Sequence, residues 1–307
     1  MPINSSRIES DIVPVCQAVL PIAVRGPEAS SDLARADLLL QSIDFFWEGS
    51  TPFIVWVIDR EQDRSAVRAA LKGSSRVQLQ HVCESEFYAS HSSFFGLPGW
   101  WKQQLLKLKV PAVIGLGSYL TLDADILCCR TFSEATFIQQ GRLISHWEYK
   151  DTQSWWRNLA TNINVPFDPR SYGLSVTPNT LHSELSKQAL LAVCTDEEQL
   201  LATLHAWIQN SRSTGSPWTE YSLYTYAAEI KGNLFDYHLK PDLAFASDVR
   251  IHSHSNVWSP DQITNLQRKT GTGDPGHFIV VQSTANVPLE RVRQLLSQVV
   301  NACPDEG

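Results

Sequence analysis

The sequence predicts an α/β fold with a mostly parallel central sheet flanked by helices. Its first half alternates short apolar runs with helix-periodic segments in the order β-α-β-α-β, the pattern of parallel strands joined by crossover helices. With 43% hydrophobic and 19% charged residues among 307, the chain can bury a sizeable core and does not read as disordered. No internal repeat, low-complexity tract or linker interrupts it. The expected organisation is a polar tail over residues 1–12, a βαβ half over 13–130, and a half over 131–307 that completes the same compact domain and ends in a helix.

Residues 13–24 carry the apolar run AVLPIAV and read as a buried first strand. Arg25 and Gly26 end it, and Pro27 and Ser30 make a loop. Leu33, Ala36, Leu40 and Ile43 recur near helical spacing, so 33–47 reads as an amphipathic helix that Asp32 can cap. PFIVWVID over 52–59 is a second strand. A charged helix over 61–71 follows, closed by Gly73 as a glycine cap, and then a third strand over 76–82. A helix over 100–109 precedes a strand within 113–127 that carries an acidic motif. The second half is less regular, with short strands over 141–147 and 249–255, helices over 195–209 and 218–230, and a loop over 211–217. Acids at 196–198 suit the start of the first of these helices. The last helix, 288–302, tolerates its first-turn proline. Its apolar stripe suits internal packing or a dimer contact equally.

The net charge of −7 argues against phosphate-driven binding to nucleic acid or to anionic membranes. Six scattered cysteines form no CxxC pair, so neither a zinc site nor a redox motif is expected, and the thiols read as reduced. The first ten residues, MPINSSRIES, lack the basic start and apolar core of a signal peptide, and no run reaches the about 20 residues of a membrane-spanning helix. The expected compartment is the cytoplasm, with peripheral attachment at the inner membrane compatible with the sequence.

The central motif is YLTLDADIL over 119–127. In a strand, residues two apart face the same way, so Asp123 and Asp125 are expected on one side of a strand end. Open α/β sheets bind ligands at that end. Two adjacent carboxylates repel unless a cation lies between them. Magnesium and manganese take oxygen ligands and share them with substrate phosphates, and such an ion neutralises charge on a departing phosphate. A solvated acidic turn is the plain alternative, and the apolar flanks weigh against it.

Four segments resemble GT-A glycosyltransferases, and in particular a loosely characterised bacterial family of that fold: DLAR at 32–35 with LLLQSI at 38–43, WWKQQLLKL at 100–108, LTLDADI at 120–126 and WTEYSLY at 218–224. The likeness spans residues 13–255, with the second and third segments its most specific part. It implies transfer of a sugar from a nucleotide-diphosphate donor to an acceptor hydroxyl, on a saccharide, a lipid-linked substrate or another molecule, with Mn2+ or Mg2+. The nucleotide-sugar then belongs to the first half and the acceptor to the second. The resemblance also implies a glycine loop at Tyr172-Gly173, metal ligation by Asp123 and Asp125, a later acid at Glu220, and a metal-binding histidine at His252 or His254. Aspartate commonly follows that later acid in the family; this chain has Tyr221.

Glu220 opens a helix, where a carboxylate can simply cap; in an inverting enzyme it is the general base, and in a retaining one it binds the acceptor. Arg250, His252 and His254 alternate on one expected strand face, offering a metal ligand and a phosphate contact. Lys102 and Gln103 lie off the core face of their helix and are candidate donor contacts, Lys102 as a point charge on a phosphate. Arg35 is a similar candidate from the first helix, and Asp59, ending the second strand, suits a ribose or base. Of ten tryptophans, most read as packing, and His146 to Tyr149 reads as an acceptor wall. Three rivals fit less well. A sugar-phosphate nucleotidyltransferase opens with a basic glycine-rich loop, which Val24-Arg25-Gly26-Pro27 is not. A haloacid-dehalogenase-like phosphatase carries its acidic pair near the N-terminus with Thr or Val after it, and here Ile-Leu-Cys follows Asp125. A non-catalytic nucleotide-sugar-binding protein would keep the fold without turnover.

Overall fold

The structure, a computed structural model, describes residues 14–24, 29–88, 91–211, 213, 215–259, 261–263 and 276–302. The expected tail over 1–12, the loop at Gly26 and Pro27, and Cys303 lie outside the described residues. In chain order the strands are β1 (Gln17–Pro21), β2 (Phe53–Asp59), β3 (Val77–Cys83), β4 (Ser118–Thr121), β5 (Ile126–Cys128) and β6 (Ile138–Gln139). They continue with β7 (Arg142–Leu143), β8 (Trp147–Tyr149), β9 (Tyr172–Leu174), β10 (Asn179–His182), β11 (Arg250–His252) and β12 (Gly276–Val280). The helices are α1 (Ala29–Phe46), α2 (Arg64–Ala70), α3 (Glu84–Tyr88), α4 (Ser92–Gly96), α5 (Gly99–Ile114) and α6 (Ser154–Asn162). After them come α7 (Ser183–Val193), α8 (Glu197–Asn210), α9 (Glu220–Lys231), α10 (Leu234–Tyr237), α11 (Pro241–Ala246) and α12 (Leu289–Ala302).

The central sheet runs β10-β4-β1-β2-β3. β4, β1, β2 and β3 are parallel and only the edge strand β10 is antiparallel, so the expected mostly parallel sheet is present. Both faces are covered at the centre, which is why β1 and β2 are almost continuously apolar, while β3 at the edge alternates, with Gln78 and Gln80 exposed. Ala18 and Leu20 of β1 pack into a cluster with α1 and α12, while Val19 between them packs into a second cluster with α5, α7, α8 and α9. A smaller sheet, β11-β12-β5, leaves the end of β4, and ribbons β6-β7 and β8-β9 lie in the second half.

Several local expectations change. The apolar stretch after Lys109 continues as helix to Ile114, through Pro111, and ends at Gly115 with φ 67°, a left-handed turn that glycine makes without strain; β4 therefore begins only at Ser118. The charged helix starts at Arg64, after a turn, and Leu71 rather than Gly73 caps it in an extended conformation. α6, α7 and β10 were not expected at all. The last helix buries Val292, Leu295 and Val299 in the same cluster as α1, so its stripe packs internally. Among the described residues no helix is long and apolar enough to cross a membrane.

Candidate active site

Asp123 and Asp125 sit in the turn between β4 and β5 rather than inside a strand. Their common orientation therefore comes from the turn, not from strand alternation. β4 runs parallel to β1, so the turn leaves the carboxyl end of the sheet, where open α/β folds bind ligands. The backbone pins it: Leu122 donates to the Val19 carbonyl at 2.8 Å, and Val281 donates to the Asp125 carbonyl at 2.8 Å. Asp125 Oδ2 accepts from the Ser283 N–H at 2.9 Å. Burial, and then the charge of Asp123, raises the Asp125 carboxyl to about 6, against the opposing pull of Ser283, Arg35 and Lys107.

The sequence reading did not single out Lys107. It is fully buried on α5, with its ammonium 2.9 Å from Asp123 Oδ1 and 3.1 Å from Glu220 Oε1, and it donates to Thr177 Oγ1 at 2.9 Å. Burial alone would lower this ammonium; the Asp123 and Glu220 charges outweigh it and hold the group above its usual range. Gln104, one helical turn earlier, completes the cradle: with its amide nitrogen turned inward it donates to Glu220. Glu220 is 1% exposed, and burial raises its carboxyl even with Lys107 opposing. It does not cap its own helix. Thr219 does, accepting from the Ser222 N–H at 3.2 Å while Ser222 Oγ accepts from the Thr219 N–H at 2.8 Å. Tyr221, where the resembled family has aspartate, donates or accepts at both Thr121 and Thr177 Oγ1, at 2.7 and 2.8 Å, and so ties the end of β4 to the segment before β10.

Two cavities meet at the acidic pair. One, of about 280 Å³, lies over the end of β1 and is bounded by Asp32, Arg35, Trp100 and Gln103. The other, of about 130 Å³, is bounded by Trp155, Thr177, Thr219 and Glu220. Asp123, Asp125, Trp100 and Gln282 line both. Of the residues expected at the donor, Asp123, Gln103 and Arg35 reach the first cavity. Arg35 is buried and donates to the carbonyls of Val281 and Val287 at 3.2 and 2.6 Å, bracing the loop that carries Ser283. Asp59, Lys102 and Gly173 line neither cavity. Asp59 pairs with Arg64 at 3.1 Å and His81 at 3.4 Å. Lys102 lies over the rings of Phe94 and Phe95. Gly173 is in β9, where an added Cβ would come within 2.2 Å of the Trp156 ring; its glycine serves close packing rather than a loop around a phosphate.

The histidines are elsewhere as well. β11 ends at His252, and His254 lies in the turn beyond it, so the two do not share a strand face. His252 is buried, bonded through Nε2 to the Pro178 carbonyl at 2.7 Å, and burial holds it neutral, well below the usual imidazole range. Both line a third cavity, of about 360 Å³, with His146, Glu148 and Arg250. Among the described residues no three His, Cys, Asp or Glu side chains converge as a metal centre. A cation held at the acidic pair would take Asp123 and Asp125 as its carboxylates, with substrate and water to complete its shell. That suits a hard ion such as Mg2+, which keeps waters and binds through one or two carboxylates plus phosphates.

The sequence pattern of a family of unknown function (DUF6492) matches residues 14–303. No curated protein matches the chain. Among solved structures, apo mouse xyloside xylosyltransferase 1 is similar at 10% identity and a TM-score of 0.48, over 89% of this chain and 99% of that one. The galactosyltransferase LgtC, in complex with donor and acceptor sugar analogs, is similar at 13% identity and a TM-score of 0.46, over 94% and 98%.

Proposed function

We propose that this chain, which belongs to the DUF6492 family, is a metal-dependent glycosyltransferase of the GT-A type that moves a sugar from a nucleotide-diphosphate donor to an acceptor hydroxyl. The observation that carries this reading is the position of the acidic pair, as the floor common to two cavities. A transfer reaction needs a donor and an acceptor on either side of one reacting carbon, and a hydrolytic or binding site needs only one such space.

The first cavity suits the donor. Asp32, Asp123 and Asp125 line it with Arg35 as the one cation among the described residues, and that guanidinium already holds two carbonyls. A diphosphate entering there would meet net negative charge. Asp123 and Asp125 would hold a divalent ion, Mn2+ or Mg2+, shared with the diphosphate, and it would supply charge neutralisation to the leaving group. Gln103 and Trp100 would orient the donor sugar.

The second cavity suits the reacting end of the acceptor. Glu220 faces it, and burial makes that carboxylate more basic than an ordinary one. The acceptor oxygen bonds the anomeric carbon while the bond from that carbon to the diphosphate oxygen breaks; the diphosphate leaves with the electron pair and Glu220 takes the hydroxyl proton. Lys107 holds Glu220 and Asp123 at fixed separation and favours the ionised form of Glu220 until that carboxylate takes the proton.

Thermal melting tests the donor site. A nucleotide-sugar with Mn2+ is expected to raise the melting temperature of the wild type, by an amount equivalent to about 2.7 kcal/mol at a hundredfold excess over Kd, and to leave Asp125→Ala unmoved. Absence of a shift with every nucleotide-sugar at millimolar concentration overturns the reading.

A further inference from the structure

The third cavity takes no part in the chemistry above, yet it is the largest of the three and opens beside the second. Val176 and Trp258 line both. The wall between them is the segment Val176, Thr177 and Pro178. Thr177 Oγ1 accepts from Lys107 at 2.9 Å on the catalytic side, and the Pro178 carbonyl meets His252 Nε2 at 2.7 Å on the other. Val176 itself has φ 54°, a left-handed conformation that a β-branched residue adopts only when its surroundings impose it. A molecule whose hydroxyl sits at Glu220 can therefore continue past Trp258 into a space nearly three times as large, about 360 Å³ against about 130 Å³.

The polar lining of that space is uneven. Glu148 Oε1 lies 3.5 Å from His146 Nε2, its other oxygen has no hydrogen-bond partner among the described residues, and the His146 ring lies tilted against that of His252 with centroids 4.4 Å apart. Asn256 is held by the Val280 N–H at 2.9 Å. Arg250 differs. Among the described residues it has no ion pair, and its guanidinium makes one long hydrogen bond, to the Phe245 carbonyl at 3.4 Å. A half-buried guanidinium at a cavity wall, with most of its five donors unused among the described residues, is suited to a planar oxyanion that accepts two of them side by side. Phe245 and Trp258, each more than two-fifths exposed, offer aromatic faces beside it.

We propose that this cavity is a subsite for an anionic group, a carboxylate or a phosphate, carried by the acceptor at a distance from the hydroxyl that reacts, with Arg250 as its partner. The proposal rests on the transferase reading for the word acceptor; the site itself stands on its own residues. Ligand-observed NMR titration of the full chain tests it, with methyl glucoside, methyl glucuronide and glucose 6-phosphate as probes. The two charged sugars, or one of them, are expected to bind more tightly than the neutral one, and whichever binds identifies carboxylate or phosphate as the group. Replacing Arg250 by Gln is expected to weaken that binding about tenfold or more, and Arg250→Lys to fall between, which also guards against a variant that does not fold. Asp125→Ala should leave binding of the charged sugar intact. Equal affinity for all three probes, or charged-sugar affinity unchanged in both Arg250 variants, overturns the proposal. If nucleotide-sugar and Mn2+ give no melting shift while charged-sugar binding still depends on Arg250, the subsite stands and the transferase reading falls.

Discussion

Lys107 holds the site together at the level of single side chains. It occupies a helix turn with no solvated face, since Gln104, Leu105, Leu106 and Leu108 around it are buried too. A charge in such a place has to be paired, and the two partners it finds, Asp123 and Glu220, come from segments far apart in sequence. Removing it should leave the nearly unexposed Glu220 uncompensated. We expect Lys107→Met to lose about 3–5 kcal/mol in urea unfolding, and the double variant Lys107→Met with Glu220→Leu to recover most of it, because apolar replacement of a buried pair is often neutral. Neither protein should transfer sugar. A single variant as stable as the wild type would show that Glu220 is held by Gln104 alone. The sequence announced Asp123 and Asp125 through their apolar flanks, but it left Lys107 inside a motif read as core and amphipathic surface. The signal was present all the same: Leu105, Leu106, Leu108, Val110 and Pro111 enclose most of this lysine in apolar neighbours. His252 and His254 misled for the opposite reason, because a period of two over six residues implies a shared face only if the strand lasts that long, and β11 stops at His252.

Among the elements, α9 decides where Glu220 points. Its first turn is closed reciprocally by Thr219 and Ser222, both buried, so the helix start is fixed without using the carboxylate beside it. Thr219→Ala should cost about 1 kcal/mol, within a range of about 0.5–2 for lost caps, and Thr219→Ser should cost little. Transfer activity should follow the same order, because the fraying turn carries Glu220; an alanine variant that loses stability but keeps full activity would separate the cap from the site. The elements that sequence reading found are those with apolar periodicity, β1 to β3 and the helices between them. β10 escaped it because its letters are Asn, Thr, Leu and His. These polar groups are satisfied inside the fold: the Asn179 amide bridges His146 and Ser175, and Thr180 bonds Ser145 and the Ile144 carbonyl. Buried polar groups paired at long range leave no periodic trace in the chain, and the second half, which supplies most of the lining of the second and third cavities, holds several of them.

Across the molecule, the same polar interior makes the fold sensitive to acid. Burial lowers His238 to about 3, His182 to about 4 and His277 to about 4, and drives His252 down as well. Each is a base whose folded pKa lies below its unfolded value of 6.5. Above that value both states are neutral and the full stability is present; as pH falls through it the unfolded chain takes up protons that the folded one refuses, and stability declines until the folded pKa is reached. The raised carboxyls of Asp125, Glu220 and Glu229 work the other way, since there the folded state binds the proton first. The net acid slope of the wild type is therefore smaller than four histidines alone would give, and one of them has to be isolated by difference. His238 is the best placed, fully buried between Ser145 Oγ and the Tyr224 hydroxyl, each at 2.7 Å. His238→Asn will be less stable at neutral pH, but its loss between about pH 7.5 and pH 5 should be smaller than that of the wild type by roughly 2 kcal/mol, the worth of about 1.5 pH units below the unfolded pKa. Urea unfolding of both proteins at the two pH values measures this directly. Identical losses would mean that His238 is already charged in the fold, with Ser145 and Tyr224 both accepting from its ring.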